Sequence, residues 1–101
     1  MRKTVYYTIC FGSDCGCVVI FDHFPTLKEL EDKFCLGLIK EKGKQYYWSS
    51  GWIHIIRTTI DEILNKDYDE IEGETVLMIE DCKLYEPKEL VNLWRKARER
   101  A

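Results

Sequence analysis

Trp52-Ile53-His54-Ile55-Ile56-Arg57-Thr58-Thr59-Ile60-Asp61-Glu62-Ile63-Leu64 carries two conflicting signals of secondary structure, and the fold turns on which prevails. Its β-branched residues favour a strand, because branching at Cβ suits the pleated surface of a sheet. Its periodicity favours a helix. Trp52, Ile55, Ile56, Thr59, Ile60, Ile63 and Leu64 share one helical face, and His54, Arg57, Thr58, Asp61 and Glu62 share the other. Only Ile53 breaks the pattern. Over a window this long periodicity outweighs propensity, which predicts a helix over 51–65 with Trp52, Ile56, Ile60 and Ile63 buried.

Upstream, Gln45-Tyr46-Tyr47-Trp48 has strong strand preference, and Ser49-Ser50-Gly51 ends it. Pro25-Thr26 opens a helix, with Thr26 and Glu29 spaced as a capping box. Leu27, Leu30, Phe34 and Leu38 then form one stripe, and Gly43 is the expected stop. Near the N-terminus Val5, Tyr7, Ile9 and Phe11 alternate with Thr4, Tyr6, Thr8 and Cys10, as in a strand. Gly12-Ser13-Asp14 and Gly16 signal a turn into Cys17-Val18-Val19-Ile20-Phe21, an antiparallel partner expected to be buried on both faces.

Downstream, residues 66–74 read as an acidic connection. Thr75-Val76-Leu77-Met78-Ile79 has no polar face and is expected at the centre of the sheet, with Lys83-Leu84-Tyr85 continuing it past a bend. Pro87 suits the first turn of a last helix, whose buried stripe is Leu90, Leu93, Trp94 and Ala97. These elements predict one α+β domain over 1–101. Its sheet is small, mixed or antiparallel, made of the opening hairpin and two further strands, and packed by about three helices.

At 46% hydrophobic residues the chain is not disordered by composition. No apolar run is long enough to span a bilayer, and the start of the chain lacks a secretion-type apolar segment. The five cysteines are odd in number and irregular in spacing. Together these features predict reduced thiols in a cytoplasmic, reducing compartment.

The formal net charge of −3 hides a segregation. Residues 61–81 hold nine acids, Asp61, Glu62, Asp67, Asp69, Glu70, Glu72, Glu74, Glu80 and Asp81, against Lys66 alone. The plain interpretation is a solvated loop that maintains solubility and shields the next strand from aggregation. The sharper one is a docking surface, with Asp61, Glu62, Asp67, Asp69, Glu70, Glu72 and Glu74 steering a basic, nucleic-acid-binding protein to carboxylates that stand in for phosphates. Asp67-Tyr68-Asp69-Glu70 lacks the glycine and the terminal glutamate of a calcium loop. The cations Arg95, Lys96, Arg98 and Arg100 suit a helix C-terminus, where the last carbonyls are negative.

Cys10, Cys15, Cys17 and His23 carry ligand chemistry suited to zinc, but a single residue separates Cys15 from Cys17, where zinc motifs usually leave two to four. Inert thiols are the simpler expectation, with no metal and no cofactor. Neither His23 nor His54 has an evident orienting partner, since Asp22 would point to the opposite side of a strand from His23, and no nucleotide or nucleophile motif is present. Tyr46, Tyr47 and Trp48 beside Lys42 and Lys44 resemble a stacking platform for single-stranded nucleic acid, although alternation sets Tyr47 on the face away from Tyr46 and Trp48, and an acidic chain repels phosphate.

The resulting expectation is a non-enzymatic protein-binding module, an inhibitor or modulator that presents the acidic surface 61–81 to a basic protein. Small acidic proteins with which viruses or mobile elements block a host defence complex share this size and charge, a likeness of type without a matched motif. The alternatives are a zinc- or thiol-dependent protein and a nucleic-acid binder.

Overall fold

A computed structural model describes residues 3–12, 16–34, 36–49, 51–67 and 70–101. Among them are seven strands and three helices, so the chain is α+β. The strands are β1 (Thr4–Gly12), β2 (Gly16–Phe21), β3 (Leu36–Glu41), β4 (Lys44–Ser49), β5 (Gly51–Thr59), β6 (Glu74–Ile79) and β7 (Leu84–Tyr85). The helices are α1 (Leu27–Lys33), α2 (Ile60–Asn65) and α3 (Pro87–Arg100). The strands form two antiparallel sheets, in the orders β2-β1-β5-β6 and β3-β4-β7.

The deciding stretch is mainly a strand. β5 runs to Thr59 between β1 and β6, and only Ile60–Asn65 is helical. Ile53, the residue that broke the helical pattern, is fully buried together with Ile55, whereas Trp52, Ile56, Ile60 and Ile63 are only half-buried. Period two therefore governs this segment. The strand-to-helix change was itself written in the sequence. Thr59 is the N-cap of α2, and its hydroxyl accepts from the backbone N–H of Glu62 three residues on.

The opening hairpin forms as expected, with Tyr7 opposite Ile20 and Cys10 opposite Cys17. Strand β2, however, is an edge, and Val18 and Ile20 point away from the core at 48% and 45% exposure. Strand β6 is the opposite edge rather than a central strand. Its apolar run has another cause. Ile55 pairs with Leu77 but Ile56 pairs with Thr75, so Val76 is an extra residue in a bulge. The bulge lets the consecutive Val76 and Leu77 both be buried.

Helix α1 begins with the expected capping box. Glu29 N–H donates to Thr26 Oγ1 at 3.2 Å, and Thr26 N–H donates to Glu29 Oε1 at 3.0 Å. The helix ends at Lys33 instead of running on to Gly43, and Leu38 lies in β3. Lys42 and Gly43, at φ 49° and 78°, form the two-residue turn from β3 to β4, a connection that needs positive φ at both positions. Gly43 thus serves a hairpin, not a helix end. Leu84–Tyr85 pairs with β4 in the second sheet and does not extend β6.

The core lies where the two sheets meet α1 and α3. Tyr6, Phe21, Ile53, Ile55, Leu77 and Ile79 come from the first sheet, and Leu36 and Tyr85 from the second. Leu30 of α1 and Leu90 and Ala97 of α3 close it, with Leu93 and Trp94 packed alongside. The stripe expected for the last helix is therefore the one buried. Among the described residues no helix is long and apolar enough to cross a membrane.

Candidate functional site

Helix α2 and the segment after it carry the acidic residues at one end of the first sheet. Asp61, Asp67, Glu70, Glu72 and Glu74 are exposed and Glu62 is half-buried. Asp69, and with Tyr68 the middle of the possible calcium segment, lies outside the described residues.

The connection is tied back to β5 at several points. Thr58 Oγ1 donates to the Glu72 carbonyl at 2.7 Å, and Glu72 N–H donates to Glu62 Oε2 at 3.2 Å. A Cβ on Gly73 would stand 2.5 Å from the Arg57 carbonyl oxygen, so only glycine allows this approach. Arg57 pairs with the Glu74 carboxylate and donates to the Arg100 carbonyl at 2.6 Å.

These contacts divide the acids by role. Lys66 Nζ lies 3.0 Å from Glu62 Oε2 and 3.9 Å from Glu72 Oε1, and Glu62, more than Glu72, holds the ammonium above its ordinary pKa. Glu62, Glu72 and Glu74 are thus partly balanced within the fold. Asp61, Asp67 and Glu70 form no ion pair among the described residues. Glu80 and Asp81 lie beyond the far end of β6, about 20 Å of strand away. There Glu80 pairs with Lys83 at 3.2 Å. The sequence patch 61–81 is therefore two separate surfaces, and the larger spans 61–74.

The cysteine and histidine cluster does not assemble as one site. Cys10 and Cys17 are register partners, but His23 lies past the other end of β2 and Cys15 lies outside the described residues. Among the described residues no group of three His, Cys, Asp or Glu side chains could hold a metal ion.

His23 does have orienting partners. Its Nδ1 is 2.7 Å from Asp22 Oδ1, and its Nε2 is 2.9 Å from Glu29 Oε2. Strand alternation fails to separate Asp22 from His23 because β2 ends at Phe21. Asp22 first, and Glu29 second, hold the His23 pKa above the ordinary imidazole value. His54 lies in β5 with Nε2 2.7 Å from Thr75 Oγ1, and burial pushes its pKa down.

The two histidines should therefore titrate on opposite sides of about pH 6.5. His23 contributes stability that is fully present below that pH and is lost as pH rises through its raised folded value. For His54, stability is intact above that pH and is lost as pH falls through its lowered folded value. Two-dimensional NMR titration of the imidazoles should show this split, and Glu29→Gln should bring the His23 midpoint down while leaving His54 unmoved.

Tyr46 and Trp48 share a face of the second sheet with Ile39 and Leu84, and Tyr47 lies on the opposite face against the core. This is the division that alternation predicted, and all three side chains are half-buried. Lys44, Tyr46, Glu86, Pro87 and Lys88 line a shallow depression.

No family model, curated protein or solved structure matches the chain.

Proposed function

We propose that the protein is a non-enzymatic binding module whose α2 end, residues 61–74, docks on a basic protein surface. One observation supports this reading above the others. Asp61, Asp67 and Glu70 are exposed and without ion-pair partners among the described residues, while their neighbours already share Lys66 and Arg57. Like charges crowded on one end of a small body repel one another and destabilise it. A cationic partner removes that repulsion on binding and is steered by the same field.

The test is a triple variant, Asp61→Asn, Asp67→Asn and Glu70→Gln, which leaves the Lys66 and Arg57 pairs intact. Exposed carboxylates contribute little to stability, so Tm should stay within a few degrees. Association with a partner captured by the wild-type protein should slow by at least about tenfold at low salt, because steering acts on the on-rate. The wild-type rate should fall as salt rises, and the variant's much less, since the Debye length shrinks to about 8 Å at physiological ionic strength. Equal rates and equal salt dependence for the two proteins would leave 61–74 as a solubilising surface. The face of Tyr46 and Trp48, flanked by Lys44, would then be the stronger candidate, with single-stranded nucleic acid as its ligand.

A further inference from the structure

We propose that Cys10 and Cys17 are a redox modification site that closes into a reversible cross-strand disulfide when the protein meets a peroxide. The two residues are direct partners in the β1–β2 register, so their side chains leave the sheet on the same face. Opposed residues in an antiparallel pair have Cα atoms about 4.5 or 5.5 Å apart, depending on the pairing class. Both separations fall inside the disulfide window of about 4.4–6.8 Å. The Cβ atoms start about 4.5–5.5 Å apart and need to approach to about 3.8 Å. Strand β2 is an edge with one neighbour, so it can make that small shift without displacing a second strand.

The two thiols differ in access. Cys17 is exposed, whereas Cys10 is half-buried against the core. Cys17 is therefore the thiol a soluble oxidant reaches first. Its thiolate attacks one peroxide oxygen, the O–O bond breaks, and hydroxide leaves, giving a sulfenic acid at Cys17. The Cys10 thiol then attacks that sulfur. The S–S bond forms, the S–O bond breaks, and the departing hydroxide takes the Cys10 proton as water. With hydrogen peroxide, two thiols lose two electrons in all, and the peroxide becomes two waters. Cys82 is also exposed, but its Sγ donates to Asp81 Oδ1 at 3.2 Å, which keeps that thiol protonated and slow to react.

Reduced protein treated with a few equivalents of hydrogen peroxide tests this by intact mass and peptide mapping. The expected result is a monomer about 2 Da lighter, with Cys10 joined to Cys17, restored by dithiothreitol. Cys15→Ser should form the same bond, which excludes Cys15 as the partner. Cys10→Ser should instead accumulate a sulfenic acid at Cys17 that a dimedone probe captures. Oxidised protein should melt several degrees higher, because the bond fastens the hairpin. A bond from Cys17 to Cys15, a Cys17-linked dimer, or thiols that remain reduced would each overturn the proposal.

Discussion

Ile53→Ala is expected to destabilise the protein by about 2–5 kcal/mol, the range for truncating a fully buried isoleucine. Ile53 has no solvent exposure and packs within the core shared by both sheets. It pairs with Cys10 on one side and Ile79 on the other, so the cavity would open at the middle of the four-stranded sheet. Neighbouring strands hold the backbone in place there, which limits collapse around the gap. For a chain of this size the loss corresponds to a fall in Tm of roughly 10 °C or more. Ile60→Ala, at a half-buried position in the first turn of α2, should cost clearly less. Urea denaturation of both variants checks the order. A helix over 51–65 would reverse it, because Ile53 alone lies off the helical stripe.

Tyr85→Ala should cost about 3–5 kcal/mol, as for other large aromatic truncations in cores. Tyr85 is 1% exposed and joins the two sheets. Its backbone pairs with Tyr47 of β4, while its hydroxyl accepts from the Glu80 backbone N–H at 2.7 Å, just past β6. Lys83 Nζ stands 4.7 Å from the ring centroid and covers its face. Tyr85→Phe retains the ring and strips only the acceptor, which isolates the hydrogen bond. It should cost about 1 kcal/mol, the scale of one partly buried donor left without its partner. Thermal melts of the two variants separate the packing share from the polar share.

Where local chemistry acts alone, the sequence was readable. The Thr26–Glu29 box, the Pro87 start and the Leu90–Ala97 stripe depend on neighbours a few residues away, and all three appear in the fold. The failures arise where two periods overlap. Strand β5 has apolar residues on both sides, because Ile53 and Ile55 face the core while Trp52 and Ile56 share the opposite face with Tyr7 and Phe11. Six helical residues then follow without a break, and Ile60, Ile63 and Leu64 extend a stripe that the strand never forms. The exception at Ile53 and the Thr59–Glu62 spacing were the two signals that marked the change. In the same way, Lys42-Gly43 between two strand-like runs marked a hairpin, and Gly37 within Leu36–Glu41 weakened the helical alternative. The β6 bulge left no mark on the sequence, since its position depends on pairing with β5.

The candidate site was legible as composition but not as geometry. Counting acids locates the segregation between 61 and 81, but it cannot show that β6 divides it. Nor can it show that Arg57, seventeen residues before Glu74, neutralises one of the carboxylates across the sheet edge. Among the described residues of 61–74, the fold leaves three exposed carboxylates outside any ion pair, Asp61, Asp67 and Glu70.

Carboxylate footprinting of the complex locates the docking surface residue by residue. Carbodiimide-driven amidation, read residue by residue by mass spectrometry, compares the free protein with the protein bound to its captured partner. Asp61, Asp67 and Glu70 should lose labelling in the complex, while Glu41 and Glu86, beside the Tyr46–Trp48 face, should label as they do in the free protein. Protection of Glu41 and Glu86 with unchanged labelling of Asp61, Asp67 and Glu70 would place the partner on the second sheet and not on the α2 end.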